Sequence, residues 1–143
     1  MDVRGRMASL SALGGGIAAL AVDLLYVNVV ISQRATMPGN RVPFVAAWIA
    51  ACAFLAIVGA FIAAPARRAW LLGWSAAGLL VLSAPAIFSI GIPLLLCAIA
   101  VGTGALRAAE QLEIRRWVAY LAPLVMLAVA AAALLVGFLA TAP

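Results

Sequence analysis

Between Arg68 and Arg107 the chain runs for 38 residues without one charged side chain. Drawn as a single helix at ~1.5 Å per residue, that run would be about 57 Å long, nearly twice the ~30 Å hydrocarbon depth of a bilayer. It must therefore double back on itself. The rest of the chain says which medium surrounds it. Of 143 residues, 69% are hydrophobic and 9% charged, whereas a soluble domain carries roughly 25% charged residues. A globule so poor in charge could not cover its surface, but lipid accepts helices that are apolar all round. The fold class that follows is all-α, a polytopic transmembrane helical bundle.

Three further runs are long enough to span. Residues 8–31 form the first, and at this length they exceed the ~7–15-residue core of a cleaved signal peptide, so they read as a retained helix. Residues 43–64 form the second, opening with Pro43 and stopping before Pro65, as proline positions at helix ends favour. Residues 117–140 form the last, interrupted by Pro123. The uncharged run splits within 83–93, where Ser83, Pro85, Ser89, Gly91 and Pro93 collect. A turn near 87–91 gives helices over about 69–86 and 90–106; a turn at 83–86, with Pro93 bending the next helix, is the alternative. The expected single transmembrane domain has five helices, loops at about 65–68 and 107–116 on one side, and a loop at about 32–42 on the other. Four spans with a re-entrant segment is the competing topology.

Arginine placement decides between them. With five spans Arg4, Arg6, Arg67, Arg68, Arg107, Arg115 and Arg116 share a side, and only Arg34 and Arg41 lie opposite. With four spans the distribution is nearly even. The positive-inside bias selects five helices, amino terminus cytoplasmic and carboxyl terminus outside. Arg to the exclusion of Lys, in an Ala-rich chain, points to a bacterial plasma membrane. Arg67, Arg68, Arg115 and Arg116, followed by Trp70, Trp74, Trp117 and Tyr120, read as anchors at one headgroup level. Tyr26 and Trp48 fall toward the other. Arg107/Glu110 and Glu113/Arg116 stand at i,i+3, a solvated ion-paired helix face.

The chemistry available is sparse. There is no His and no Lys, and Cys52 and Cys97 lie apart in apolar runs, so neither a metal site nor a catalytic dyad assembles. Gly14, Gly15 and Gly16 lack the Lys of a phosphate-binding loop. The expectation is no enzyme, no cofactor and no nucleic acid. The positive charge belongs to membrane loops, where it attracts anionic lipid.

One residue is out of place. Asp23 is the only acid inside an expected span, just outward of the middle of 8–31. On insertion scales it costs roughly 2.5–3.5 kcal/mol there, which eleven Leu, Ile and Val residues offset at ~0.3–0.6 kcal/mol each. Ala12, Gly15, Gly16 and Ala19 share its face, and small residues at that spacing admit another backbone closely. Asp23 should therefore face protein, where low dielectric favours the neutral acid. Two readings stand. In one, Asp23, with Tyr26 and Asn28 leading outward, holds a proton or cation in a transport path. In the other it makes an interhelical hydrogen bond to Ser75, Ser83, Ser89, Thr103 or a carbonyl. Small-residue steps at Ala56-Ala60-Ala64, Ala98-Gly102 and Ala133-Gly137 suggest close packing inside the bundle or between subunits. The sequence reading is a non-catalytic accessory or packing subunit in contact with the lipid bilayer, with other membrane proteins or a second copy as further partners. A small proton- or cation-coupled transporter using Asp23 is the alternative.

Overall fold

In hydrocarbon the backbone must satisfy its own hydrogen bonds, and a chain rich in Ala and Leu does so as helix. The computed structural model describes residues 3–32, 41–112 and 116–141 and contains, among them, helices and no strand. The helices are α1 (Val3–Ser32), α2 (Arg41–Phe61), α3 (Pro65–Ser83), α4 (Ile92–Ala109) and α5 (Arg116–Ala140), with a π-helical turn at Ile87–Gly91 leading into α4. The segments Ser9–Ser32, Arg41–Phe61, Ile87–Ala109 and Leu121–Ala140 are each long and apolar enough to cross a membrane. In α3 the first turn carries Arg67 and Arg68, which leaves about 22 Å of apolar helix beyond them.

Close contacts fix the directions. Gly59 meets Leu72 and Gly78 meets Cys52, so α2 and α3 run antiparallel. Gly91 lies against Ser83 and Gly102 against Ala76, so α3 and α4 do the same. The uncharged run does double back. On α5, Gly137 packs on Phe44, and Met126 lies beside Gly73. For α1 the argument is one of reach. Gly16 sits on Ala53, Ala56 and Ile57. Were α1 parallel to α2, Ser32 and Arg41 would be about 45 Å apart, and the nine intervening steps reach only about 32 Å. The five helices thus alternate, and α1, α3 and α5 begin on the face where α2 and α4 end. Arg6, Arg67, Arg68 and Arg107 belong to that face, and Arg41 belongs to the other.

Three boundaries differ from the sequence expectation. The reversal lies at 84–86, the alternative position, while 87–91 is the π turn. Pro85 and Pro93 each lack an N–H, so the helical bonds to residues 81 and 89 cannot form. The backbone compensates by contracting onto Ala86 O, which accepts from Ser89 N at 2.9 Å and Gly91 N at 2.7 Å. Residues 65–68 are not a loop. Pro65 opens α3 at its first position, Arg68 N bonds Ala64 O at 3.0 Å, and the link is only 62–64. At 107–112, α4 continues to Ala109 and closes with Glu110 N donating to Leu106 O.

The core lies where α1, α2, α3 and α4 meet. Ile49, Ala53, Ala56, Leu72, Leu79, Leu94 and Val101 are fully enclosed. Small residues set the spacing: a Cβ at Gly15 would come within 2.8 Å of Val101, and one at Gly16 within 2.9 Å of Ile57. Two polar links cross between α2 and α3. Ser75 Oγ donates to Cys52 O at 2.7 Å, and Trp48 Nε1 donates to Gly78 O at 3.1 Å. Ser75→Ala removes one donor and strands no buried donor, since Cys52 O keeps its helical place. The expected loss is about 0.5–1.5 kcal/mol, measurable as a lowered unfolding midpoint in detergent. An unchanged midpoint would show that the α2–α3 seam rests on packing alone. By contrast α5 buries chiefly Met126, Ala130 and Leu134, one narrow stripe.

Candidate functional site

The face of α1 that turns inward is the one its small residues mark. Ala12, Gly15, Gly16, Ala19 and Asp23 are all buried, and Ala12 and Ala19 retain no exposed surface. Helical i,i+4 spacing carries this stripe straight to Asp23. Asp23 is 9% exposed, and its Oδ1 is enclosed with no hydrogen-bond partner. Each hydroxyl considered as its partner is engaged elsewhere. Ser75 Oγ donates to Cys52 O, Ser83 Oγ to Leu80 O (2.7 Å), Ser89 Oγ to Ala86 O (3.2 Å) and Thr103 Oγ1 to Ala100 O (2.8 Å).

Packing registers place Asp23 along the membrane normal. It lies seven residues beyond Gly16, about 10 Å, which on antiparallel α2 reaches the level of Trp48. Gly15 faces Cys97, Ala100 and Val101 on α4, and eight residues beyond it, about 12 Å, the level on α4 is that of Gly91. Gly59 meets Leu72, and Trp48 and Ser83 each lie eleven residues from that contact toward the same end, so Ser83 ends α3 near the same height. Asp23 is therefore level with the α3–α4 turn. Tyr26 is half-buried and packs against the core, one helical turn above Asp23. Asn28 is exposed, five residues and about 140° from Asp23, so it does not continue the same inner stripe.

The expected interface anchors divide. Arg67 and Trp70 are exposed, and Trp70 pairs with half-buried Trp74 at a ring separation of 6.3 Å. Arg68 is instead buried, and its Nε donates to Ile62 O at 2.8 Å. It closes the end of α2, a role that a pair of adjacent arginines after an apolar run does not reveal. Arg34 and Arg115 fall outside the described residues; of Arg4, Arg116, Trp117 and Tyr120 only the backbone is described. Cys52 and Cys97 are free thiols, both buried, and Cys52 Sγ fills the space a Cβ at Gly78 would take. Among the described residues no three His, Cys, Asp or Glu side chains gather as a metal site would need.

A concavity of about 360 Å³ lies between α3, α4 and α5, lined by Gly73, Ala76, Ala98, Gly102, Pro123 and Leu127 among others. It is almost wholly apolar, and the Thr103 hydroxyl on its wall donates to Ala100 O of its own helix. Comparison with protein families, with characterised proteins and with solved structures finds no match.

Proposed function

We propose that the chain is a small, non-catalytic membrane protein of the bacterial plasma membrane that binds a proton or small cation at Asp23 and moves it across the bilayer. The observation that supports this reading is the enclosed Asp23 Oδ1 with no partner. An unsatisfied buried acceptor costs about 1–3 kcal/mol, and an ionisable group in the hydrocarbon region is costly besides. A carboxyl serving only to join helices would be paired with a hydroxyl at its own level, and Ser83 and Ser89 there donate instead to Leu80 O and Ala86 O. A carboxyl that must gain and lose a proton or cation is better served by having none. The gathering of Arg6, Arg67, Arg68 and Arg107 on one face supports an orientation with the amino terminus in the cytoplasm and the carboxyl terminus outside.

Purified protein in liposomes with an imposed pH or cation gradient tests the proposal. The wild type is expected to dissipate the gradient, and Asp23→Asn to lose that flux while inserting and unfolding like the wild type. Equal flux from both, or none from the wild type, would refute it. The second reading, an accessory subunit, draws support from α5, whose single buried stripe leaves most of the helix open to lipid or to another membrane protein. On that reading the wild type moves nothing, and the protein co-purifies with a defined membrane partner or as a stable oligomer.

A further inference from the structure

We infer that the concavity between α3, α4 and α5 seats one acyl chain of a zwitterionic aminophospholipid from the leaflet on the arginine-rich face, with the lipid's phosphate on Arg107 and its primary ammonium on Glu110. The site is independent of Asp23 and of any transport.

The groove exists because small residues meet there. Gly73 and Ala76 on α3 and Ala98 and Gly102 on α4 line it, and none has the bulk to fill the space between the helices. α5 leans on α3 through Met126 at Gly73, and its one narrow stripe does not close the gap. At Gly102 a Cβ would meet only Ala76, at 3.8 Å. On α4 the lining runs from Ala98 to Leu106, a rise of about 12 Å. Leu106 adjoins Arg107, so the groove begins near the headgroup level and spans most of one leaflet of a ~30 Å hydrocarbon layer. Its width selects what can enter. About 360 Å³ spread over about 12 Å gives a section of about 30 Å². A helix is ~10–12 Å across and needs about 80 Å² or more, so a helix from a second copy or another protein does not fit. A hydrocarbon chain, whose carbons pack at ~4 Å, needs about 20 Å² and does.

The mouth of the groove carries both signs of charge. Thr103 and Leu106 line it, and helical spacing sets Arg107 one turn beyond Thr103 and Glu110 one turn beyond Leu106. Both charged side chains are exposed. Their i,i+3 spacing predicts an ion pair, yet among the described residues the two do not pair, and neither side chain makes another hydrogen bond or ion pair. A guanidinium and a carboxylate left open side by side match a headgroup that holds a phosphate and an ammonium. Guanidinium donates to phosphate in parallel N–H···O bonds, and carboxylate accepts from ammonium. An anionic headgroup would satisfy Arg107 and be repelled by Glu110. A choline headgroup has no N–H to give Glu110.

The full-length protein in phosphatidylcholine liposomes tests this, with a trace of phosphatidylethanolamine bearing a photoreactive diazirine midway along one acyl chain. Adducts are located by mass-spectrometric peptide mapping after irradiation. Ile99 on the groove wall is 53% exposed, and Ile17 on α1 is 55% exposed at a similar depth, since Gly15 packs beside Cys97. Ile99 is expected to be labelled about tenfold more than Ile17. Unlabelled phosphatidylethanolamine should suppress the Ile99 adduct, and the same amount of phosphatidylglycerol should not. Arg107→Gln and Glu110→Gln each remove one charge-assisted bond and should lower the Ile99 adduct about tenfold. Gly102→Leu fills the groove and should abolish it. Should Gly102→Leu fail to fold, the two exposed glutamine variants still decide. Equal adducts on Ile17 and Ile99 would show surrounding lipid only and overturn the site. So would an Ile99 adduct that is indifferent to both glutamine variants, or one suppressed equally by phosphatidylglycerol.

Discussion

Gly91→Ala is expected to open the α3–α4 hairpin and to lower the stability of the protein by about 3 kcal/mol or more, at the upper end of what overpacking costs. The backbone angles at Gly91 are ordinary right-handed helix, so any residue could adopt them. What forbids a side chain is space. A Cβ there would overlap Ser83 O and would sit 2.6 Å from Ala86 C and 2.7 Å from Ala86 O. These are backbone atoms of the same tight turn, and Ala86 O is already fixed by the Ser89 and Gly91 amides. No rotamer change relieves the overlap, so the turn must widen and lose those bonds. Gly14→Ala serves as the control. Nothing lies within 4 Å of a Cβ at Gly14, and removing glycine from a helix interior gains up to about 1 kcal/mol. Unfolding midpoints in detergent should fall sharply for Gly91→Ala and hold or rise for Gly14→Ala. If Gly91→Ala unfolds with the wild type, the contact with Ser83 and Ala86 does not hold the hairpin together.

The same turn marks how far the sequence could be read. That 38 uncharged residues must reverse follows from length alone, and the number of helices follows once the placement of the arginines is added. The position of the reversal does not, because Pro85 and Pro93 each break one helical bond and local rules rank them equally. The choice of 84–86 is made by packing, through the approach of Gly91 to Ser83. The inward face of α1 was legible, since Ala12, Gly15, Gly16, Ala19 and Asp23 repeat at helical spacing and each proves buried. The surroundings of Asp23 were not. Ser83, Ser89 and Thr103 each donate to a carbonyl three residues back, the local alternative always open to helical hydroxyls, and only Ser75 reaches a neighbouring helix. Residues 65–68 misled for a different reason. Adjacent charges suggest a loop, yet Arg68 has a long side chain that remains in a first helical turn and folds back to the carbonyl of Ile62.

Asp23→Leu should separate stability from function. Leucine has nearly the branched shape of aspartate, places no polar atom beside the α1 seam, and exchanges an insertion cost of about 2.5–3.5 kcal/mol for a gain of ~0.3–0.6 kcal/mol on the same scale. No hydrogen bond to Oδ1 is lost, because none exists. The substituted protein is expected to be more stable than the wild type by about 1–3 kcal/mol, the range of a single unsatisfied buried polar group, and to be inactive in liposomes. A gain in stability joined to a loss of flux is the signature of a residue present for function and not for packing. A fall in stability on replacement would mean that Asp23 holds the helices together through its second oxygen. The carboxyl would then be structural, and the accessory reading would take precedence over transport.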